Sequence, residues 1–357
     1  MKKIKVIVVG CGNMGSSHAR AYNKLEEFEL CGIVDARKEA VDAFNQSVNG
    51  NYKHYSDFDT ALNEVKPDAV AICTYPDTHE ALATKALEFG CHVFVEKPIS
   101  STVEGARRVA ECAKKNNKKV VVGYILRHHP SWKKFIEVSK SLGKPLVMRM
   151  NLNQQSSERT WATHKNLLNA LTPIVDCGVH YIDVMCQMTE AKPVRVSGIS
   201  ARLSNEIGED KRNYGQLQVE FEDGSIGWYE AGWGPMMSTN AFFVKDVIGP
   251  KGCASICADK ASSDKSSDNI DSHTKTEKIR LHHSELDSDG KFANADEWID
   301  NTDEPTHDEL CAREQLYLYN AIVNDSDLTQ HIQDAVNSLA IALAADESAK
   351  TGKTVYL

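Results

Sequence analysis

The sequence lacks any apolar run of the roughly 18 residues that a membrane-spanning helix requires. It also lacks an excess of basic residues, since 41 lysines and arginines face 50 acidic residues and the formal net charge is −9. A broad positive field that would attract a nucleic acid or an anionic membrane is therefore missing. The opening residues Met1–Lys5 lead straight into a strand-like run, without the apolar segment of a signal peptide. We expect a cytoplasmic protein that binds neither nucleic acid nor membranes.

No CxxC pair occurs among the ten cysteines, and the closest two, Cys253 and Cys257, are four residues apart. Pairs of that kind mark zinc sites and redox couples, so their absence favours reduced, buried thiols. Two histidine pairs, His128-His129 and His282-His283, keep a metal site open as an alternative. Adjacent residues on a strand point to opposite faces and chelate poorly together. We therefore predict no metal site.

The composition, with 41% hydrophobic and 25% charged residues, is that of a soluble globular protein, and 357 residues favour two domains. In residues 1–124, apolar runs alternate with helix-length segments. This rhythm predicts an α/β domain with a doubly wound parallel sheet, the Rossmann arrangement. The predicted strands are Val6–Val9, Leu30–Val34, Ala69–Cys73, His92–Val95 and Lys119–Val122, and the helices between them are Ser16–Leu25, Lys38–Gln46, Thr78–Phe89 and Val103–Lys115.

Residues 125–357 follow a different rhythm, in which apolar and polar residues alternate along longer strands. Period-two alternation is typical of an antiparallel sheet with one apolar face, so we predict an α+β domain built on a large open sheet. Such a face needs a cover, which favours a homo-oligomer. Asp259–Asp271 is rich in Asp, Ser and Lys and predicts a surface loop. The predicted strands are Leu146–Gln154, Val194–Leu203, Tyr214–Phe221, Ser225–Trp233 and Phe242–Ile248, and two closing helices are Glu309–Val323 and Gln330–Ala349.

The segment Gly10–Gly15 reads GxGxxG directly after a strand and at the start of a helix. Gly10 permits a tight turn, Gly12 lets the backbone approach a pyrophosphate, and Gly15 allows the helix to pack on the strand. The pyrophosphate is expected at the helix N-terminus, where free N–H groups and the helix dipole favour negative charge. We assign dinucleotide binding to Gly10, Gly12, Asn13, Met14 and Gly15.

An acidic residue, Asp35, follows Gly15 by twenty residues at the end of the second strand. A carboxylate at that place binds the ribose 2′-hydroxyl of NAD and repels the 2′-phosphate of NADP. Arg37, two residues later, softens the preference. The sequence therefore predicts NAD as the cofactor.

Two further motifs carry candidate chemistry. Glu96-Lys97-Pro98 follows the predicted strand His92–Val95, at the sheet edge where open α/β folds bind ligands. Asp176 and His180 stand four residues apart, so a helix would place both side chains on one face. Gly178 between them is unfavourable inside a helix, which indicates close approach to the backbone. Separately, each motif also has an ordinary structural explanation: a solvated loop lysine, a core histidine and a capping aspartate.

Together these motifs resemble the Gfo/Idh/MocA family, which includes inositol dehydrogenases and glucose–fructose oxidoreductase. The segment Ile72–His79 is similar to the family's nicotinamide-side loop, and Tyr124–His128 to its domain junction. The run Ala170–Pro173 departs from the glycine-rich segment that many members carry there. The resemblance implies cofactor contacts from Thr74, Tyr75, Pro76, His79, Glu96 and Lys97, a catalytic group of Lys97, Asp176 and His180, and substrate contacts that also include Arg127 and Trp161.

The resemblance implies an NAD(H)-dependent oxidoreductase that oxidises a ring secondary hydroxyl of a sugar, a glycoside or an inositol to the ketone, with C3 of a glycoside as one concrete position. In this interpretation His180 is the base, Lys97 stabilises the developing alkoxide, and Asp176 holds the substrate or orients the base. Two alternatives stay open. One is an NAD-assisted glycosidase that works by oxidation, elimination and reduction, and the other is a non-catalytic, cofactor-sensing regulator.

Overall fold

The computed structural model describes residues 3–238, 243–257, 273–274, 276–300 and 304–357. The chain divides into two compact units. The first comprises residues 1–125 and 306–336, and the second comprises residues 126–305 and 337–357. A short 3₁₀ turn, Ile125–His128, contains the boundary.

The first unit is built on a parallel sheet of six strands, in the order β3-β2-β1-β4-β5-β6. The predicted doubly wound sheet is thus confirmed. Its strands are Ile4–Val9 (β1), Phe28–Val34 (β2), His54–Tyr55 (β3), Ala69–Ile72 (β4), His92–Val95 (β5) and Val120–Val122 (β6). The helices that alternate with them are Asn13–Lys24 (α1), Lys38–Ser47 (α2), Phe58–Val65 (α3), Pro76–Phe89 (α4) and Val103–Lys115 (α5).

Local sequence explains most of these elements. Strands β1, β4 and β6 are apolar almost throughout and buried, as a sheet covered on both faces requires. The side chains of Asp57 and Thr102 accept hydrogen bonds from the first turns of α3 and α5. The sequence analysis missed β3 and α3, because β3 has only two residues and the surrounding segment is polar.

The second unit contains a sheet of nine strands, in the order β14-β13-β12-β11-β7-β10-β9-β8-β15. All neighbouring strands are antiparallel except β10 and β7, which confirms a mainly antiparallel sheet. Its strands are Val147–Gln155 (β7), Pro193–Ala201 (β8), Tyr214–Phe221 (β9), Ile226–Gly234 (β10), Lys245–Gly249 (β11), Gly252–Cys257 (β12), Lys278–His283 (β13), Glu297–Asp300 (β14) and Val355–Tyr356 (β15). Its helices are Pro130–Ser141 (α6), Glu158–Leu167 (α7), Pro173–Asp176 (α8) and Gly178–Thr189 (α9). The predicted loop Asp259–Asp271 lies outside the described residues.

Two long helices close the chain, His307–Val323 (α10) and Thr329–Thr351 (α11). Both helices were predicted to belong to the second domain. In the structure, α10 and the first part of α11 instead cluster with the first unit. The reason is apolar packing within that unit: Leu318 and Tyr319 join the same buried cluster as Tyr22 and Phe28. A capping box at Thr306 fixes where α10 begins.

Neither a membrane-spanning helix nor a disulfide is found in the described part of the chain. Its helices are too short or too polar to cross a bilayer. All ten cysteines lie among the described residues, and all are free thiols.

Candidate functional site

Two of the three glycines in the loop between β1 and α1 are sterically required, and the third leaves open space. Gly10 has a φ of +87°, and a Cβ there would lie 2.7 Å from the carbonyl oxygen of Cys73. A Cβ on Gly15 would lie 1.8 Å from the carbonyl oxygen of Gly10, so only glycine lets the helix begin this close to the strand. At Gly12, by contrast, no non-neighbouring atom of the described residues lies within 4 Å of the Cβ position. The protein therefore packs closely against the loop at Gly10 and Gly15, whereas the space beside Gly12 is open.

The first turn of α1 offers unsatisfied donors at this opening. Its N-cap residue is Gly12, which has no side chain to accept from the first-turn N–H groups, and the turn carries no acidic residue. Asn13 is exposed and Met14 half-buried in that turn. The geometry suits a bound pyrophosphate, whose charge the helix dipole and free N–H groups stabilise.

Asp35 lies directly after β2, against the glycine loop. One carboxylate oxygen accepts from the backbone N–H of Cys11 at 2.7 Å, and the other accepts from the N–H of Arg37 at 2.8 Å. The Arg37 side chain is 71% exposed, with its Nε 3.8 Å from the carboxylate. Two backbone donors therefore hold the predicted ribose-binding carboxylate beside the loop that is predicted to bind the pyrophosphate.

The loop after β4 and the loop after β5 lie side by side, because these strands are neighbours in the sheet. His79 is fully buried and bridges the two loops: its ring nitrogens lie 2.8 Å from the carbonyl oxygen of Pro98 and 3.0 Å from that of Thr74. Burial lowers the pKa of His79, so the ring is neutral at pH 7 and donates to one of these oxygens. Tyr75 is 65% exposed before α4, whose first residue is Pro76. His79 therefore anchors the loop next to Lys97.

Glu96 is buried, and both of its carboxylate oxygens bind protein groups. His18 on α1 binds one oxygen at 2.7 Å, and the backbone N–H of Lys97 donates to the other at 3.1 Å. Glu96 thus ties the helix of the glycine loop to the peptide of Lys97. Direct contact of Glu96 with the cofactor stays a prediction.

In the second unit, Asp176 ends α8 and His180 lies in the first turn of α9. Cys177 between them keeps helical backbone angles, with φ −86° and ψ −37°, so the two side chains are about one helical turn apart. Gly178 is explained by packing, since a Cβ there would lie 3.0 Å from the Tyr229 ring. The group that closely approaches the backbone of Gly178, as expected from the sequence, is the side chain of Tyr229 in the core.

A polar group beneath these helices was missed by sequence reasoning. The side-chain oxygen of Gln154 accepts from the Trp233 indole at 2.8 Å and from the Cys177 thiol at 3.3 Å. His164 stacks on Trp233 with ring centroids 4.6 Å apart. Burial lowers the pKa of His164 to about 4, against an opposing effect of the Asp176 charge. The available signal was the set of amide side chains in the second half of β7, namely Asn151, Asn153, Gln154 and Gln155.

Two residues expected to contact substrate are engaged with protein groups. Arg127 donates twice to the buried carboxylate of Asp183, at 2.8 and 2.5 Å. Trp161 is buried, and its indole N–H donates to Glu206 at 3.2 Å. Their predicted substrate contacts stay predictions, and each also has a clear structural role.

The histidine pair on β13 does not converge on one point. His282 binds Asp296 at 2.8 Å, and His283 binds Glu297 at 2.7 Å. The described structure therefore gathers the predicted cofactor residues in the first unit, and Asp176 and His180 in the second. The glycine loop and the carboxylate beside it fit a dinucleotide.

Family models match both parts of the chain. Residues 4–124 match the GFO/IDH/MocA model described as an oxidoreductase family with an NAD-binding Rossmann fold. Residues 133–252 match the model of the GFO/IDH/MocA C-terminal domain.

Named relatives are similar over part of their length. The chain is 30% identical over 221 residues to inositol 2-dehydrogenase/D-chiro-inositol 3-dehydrogenase of Lacticaseibacillus casei, covering 60% of this chain and 61% of that protein. It is 26% identical to D-glucoside 3-dehydrogenase of Escherichia coli, over 64% of this chain and 69% of that protein. The crystal structure of myo-inositol 2-dehydrogenase from Lactobacillus plantarum shares the fold, with a TM-score of 0.76, 18% identity and 100% coverage of both chains.

Proposed function

This chain belongs to the GFO/IDH/MocA oxidoreductase family, and we propose that it is an NAD(H)-dependent dehydrogenase. Its substrate is a sugar, a glycoside or an inositol, and the product is the corresponding ketone. C3 of a glycoside is one position for the reaction. The names of the relatives, which act on inositols and on a glucoside, support this substrate class.

The observation that carries the proposal is the glycine loop with Asp35 held against it. The open face at Gly12 and the uncapped first turn of α1 accommodate a pyrophosphate, and the carboxylate suits a ribose hydroxyl. When bound, NAD supplies the acceptor for the hydride that leaves the oxidised carbon. The remaining chemistry is a proton transfer, which falls to residues of this chain.

In the proposed reaction, the substrate O–H bond and the C–H bond on the same carbon both break, and a C=O bond forms. His180 takes the hydroxyl proton, because imidazole is a suitable base near neutrality. Lys97 hydrogen-bonds the same oxygen and stabilises the developing negative charge. Asp176 holds the substrate or orients the base.

A direct test is to screen inositols, free sugars and glycosides for NADH formation at 340 nm. We expect one substrate class to give NADH in stoichiometric amounts with ketone. Release of an aglycone without net NADH would instead favour the glycosidase that oxidises, eliminates and reduces. Binding of NAD without turnover of any polyol would favour the regulator.

Two variants test the catalytic assignment. Lys97→Ala and His180→Ala are each expected to abolish turnover while leaving the Kd for NAD within a few-fold of wild type. A suitable control is Lys85→Ala, which removes an exposed lysine that pairs with Asp59 on the surface of the first unit. Wild-type turnover in either catalytic variant would remove that residue from the chemistry.

We also propose that a second copy of the chain covers the open face of the nine-stranded sheet. Ile226, Val147 and Ile248 are cross-strand neighbours on β10, β7 and β11, so they share one face, and the two isoleucines are 46% and 40% exposed. Ile199 on β8 belongs to the same face and is 65% exposed. Apolar groups exposed in this way mark an interface. Analytical sedimentation of wild type and of Ile226→Glu measures the oligomeric state, and we expect the substitution to weaken association. A monomeric wild-type protein would refute the proposed interface.

A further inference from the structure

A chain of buried hydrogen bonds runs through the first unit and ends at the backbone of Lys97. The hydroxyl of Tyr22 donates to the side-chain oxygen of Gln315, whose amide nitrogen lies 2.9 Å from Nδ1 of His18. Nε2 of His18 lies 2.7 Å from Glu96, which accepts from the N–H of Lys97 at 3.1 Å. The side chains of Tyr22, His18 and Gln315 are almost completely buried.

The chemistry of the groups fixes the direction of the chain. A carboxylate can only accept, so Nε2 of His18 must carry the proton that faces Glu96. In a neutral imidazole Nδ1 is then an acceptor, and the amide of Gln315 supplies the matching donor. Tyr22 in turn fixes which end of the Gln315 amide faces the histidine. Each donor therefore has an acceptor, and the arrangement selects one tautomer of His18.

Glu96 acts electrostatically on three other buried titratable side chains of this region. Its charge, after burial, is a cause of the raised pKa values of Cys73, Cys311 and Glu314. Glu314 is almost completely buried on α10, and burial together with the Glu96 charge raises its pKa well above the usual value of a carboxyl group. Glu96 differs from Glu314 in that its two carboxylate oxygens bind His18 and the backbone N–H of Lys97.

The same region could be interpreted as a metal site, since ligand atoms of His18, Cys311 and Glu314 lie within 4.8 Å of one another. Both nitrogens of His18 are, however, already engaged with Glu96 and Gln315. A cation would also have to displace protons from Cys311 and Glu314, whose pKa values burial raises. The hydrogen-bond network accounts for His18 without an ion.

We propose that His18 is a positioning residue for the reaction: through Glu96 it fixes the peptide of Lys97 and keeps one carboxylate charge next to that residue in sequence. The inference rests on the proposed function, in which Lys97 acts on the substrate oxygen. His18 lies on α1, whose first turn begins in the glycine loop. One helix thus carries both the proposed pyrophosphate site and the support of the proposed catalytic lysine.

The kinetic test compares His18→Leu, which removes the donor to Glu96, with His18→Gln, which can replace it through its amide. We expect His18→Leu to lower kcat about 10- to 100-fold, the scale of a reacting group misplaced by about 1 Å. The Kd for NAD should stay within a few-fold of wild type, and His18→Gln should recover most of the turnover. Gln315→Leu, which leaves Glu96 and His18 in place, is a second variant should His18→Leu fail to fold.

A second measurement does not depend on turnover. Amine-reactive labelling of Lys97 across a pH series, followed by mass spectrometry, reports the ionisation and exposure of that lysine. A buried carboxylate that loses its donor takes up a proton, and an ammonium that loses a nearby carboxylate charge is destabilised. We therefore expect His18→Leu and Glu96→Gln to shift the Lys97 labelling midpoint to lower pH by about half a unit or more.

The matched control is His331→Leu, since His331 is also a buried histidine of the first unit and accepts from the N–H of Val122 at 2.9 Å. A purely structural role predicts that His18→Leu and His331→Leu lower stability alike and leave Lys97 labelling at its wild-type midpoint, which would overturn the proposal. If wild type turns over no polyol, the proposed function fails, and the labelling series still decides whether His18 controls Lys97.

Discussion

Asp346 offers a stability test that does not depend on the proposed function. Its carboxylate oxygens accept from the hydroxyl of Thr172, at 2.9 and 3.0 Å, within the second unit. Burial raises the pKa of Asp346 from 3.8 to about 6, although the Thr172 hydrogen bond and the charge of Lys350 act in the opposite direction. The folded protein therefore binds this proton more tightly than the unfolded chain does.

The sign and size of the effect follow from proton linkage. Between about pH 4 and pH 6 the folded state holds the proton that the unfolded state has lost, so stability falls as pH rises through this window. Above pH 6 the loss is complete. A difference of about two pKa units corresponds to about 3 kcal/mol in the free energy of unfolding. This is an upper limit, because the side chain is only partly buried.

Asp346→Asn removes the titration while keeping an oxygen that accepts from Thr172. We expect the variant to be more stable than wild type at pH 8, by up to about 3 kcal/mol, with the difference vanishing near pH 4. Urea unfolding followed by tryptophan fluorescence at several pH values measures it. Glu347→Gln, at the exposed neighbouring acid, controls for the change in net charge. A stability difference that is the same at pH 4 and pH 8 would refute the reasoning.

Three further predictions concern the glycine loop, a buried ion pair and the cofactor. Gly15→Ala should abolish NAD binding in a fluorescence titration, because its Cβ would lie 1.8 Å from a backbone carbonyl oxygen. Arg127→Met leaves the buried Asp183 carboxylate without its bidentate partner and should cost about 3–5 kcal/mol in urea unfolding. Arg149→Met, at an exposed ion pair, should cost about 1 kcal/mol or less and serves as the control. Titration of both cofactors should show tighter binding of NAD than of NADP because of Asp35, and the reverse order would contradict that role.

The elements that sequence reasoning could predict are those encoded over short stretches. The glycine loop is recognisable from six consecutive residues, because Gly10 and Gly15 are sterically required where the strand turns into the helix, and Gly12 leaves space open for a ligand. Strands β1, β4 and β5 are recognisable because both faces of a parallel sheet are buried and their residues are therefore apolar almost throughout. Asp176 and His180 were paired by the helical repeat, which the chain follows through Cys177.

What sequence reasoning could not predict depends on contacts between distant segments. Nothing local in α10 shows that Gln315 meets His18, almost 300 residues earlier in the chain. The charge of Arg127 and its place at the domain junction suit a substrate-binding residue. Only the fold shows that its guanidinium donates to the carboxylate of Asp183. Likewise, the polar side chain of Gln154 finds its indole and thiol partners on other elements. A side chain's chemistry is local, whereas its partner is a property of the topology.

The two buried acids of the first unit, Glu96 and Glu314, show how that topology assigns different chemistry to identical side chains. Glu96 has a histidine donor and a backbone donor, whereas one oxygen of Glu314 has no hydrogen-bond partner among the described residues. The raised pKa of Glu314 means that the folded protein holds this proton more tightly than the unfolded chain does, so stability falls as pH rises above the usual range of a carboxyl group. Glu314→Gln should therefore gain stability between pH 5 and pH 8 relative to wild type and keep turnover, because a neutral amide replaces a neutral acid. Glu96→Gln should lose turnover at every pH. Equal loss of turnover in both variants, measured beside urea unfolding at the two pH values, would contradict this division of roles.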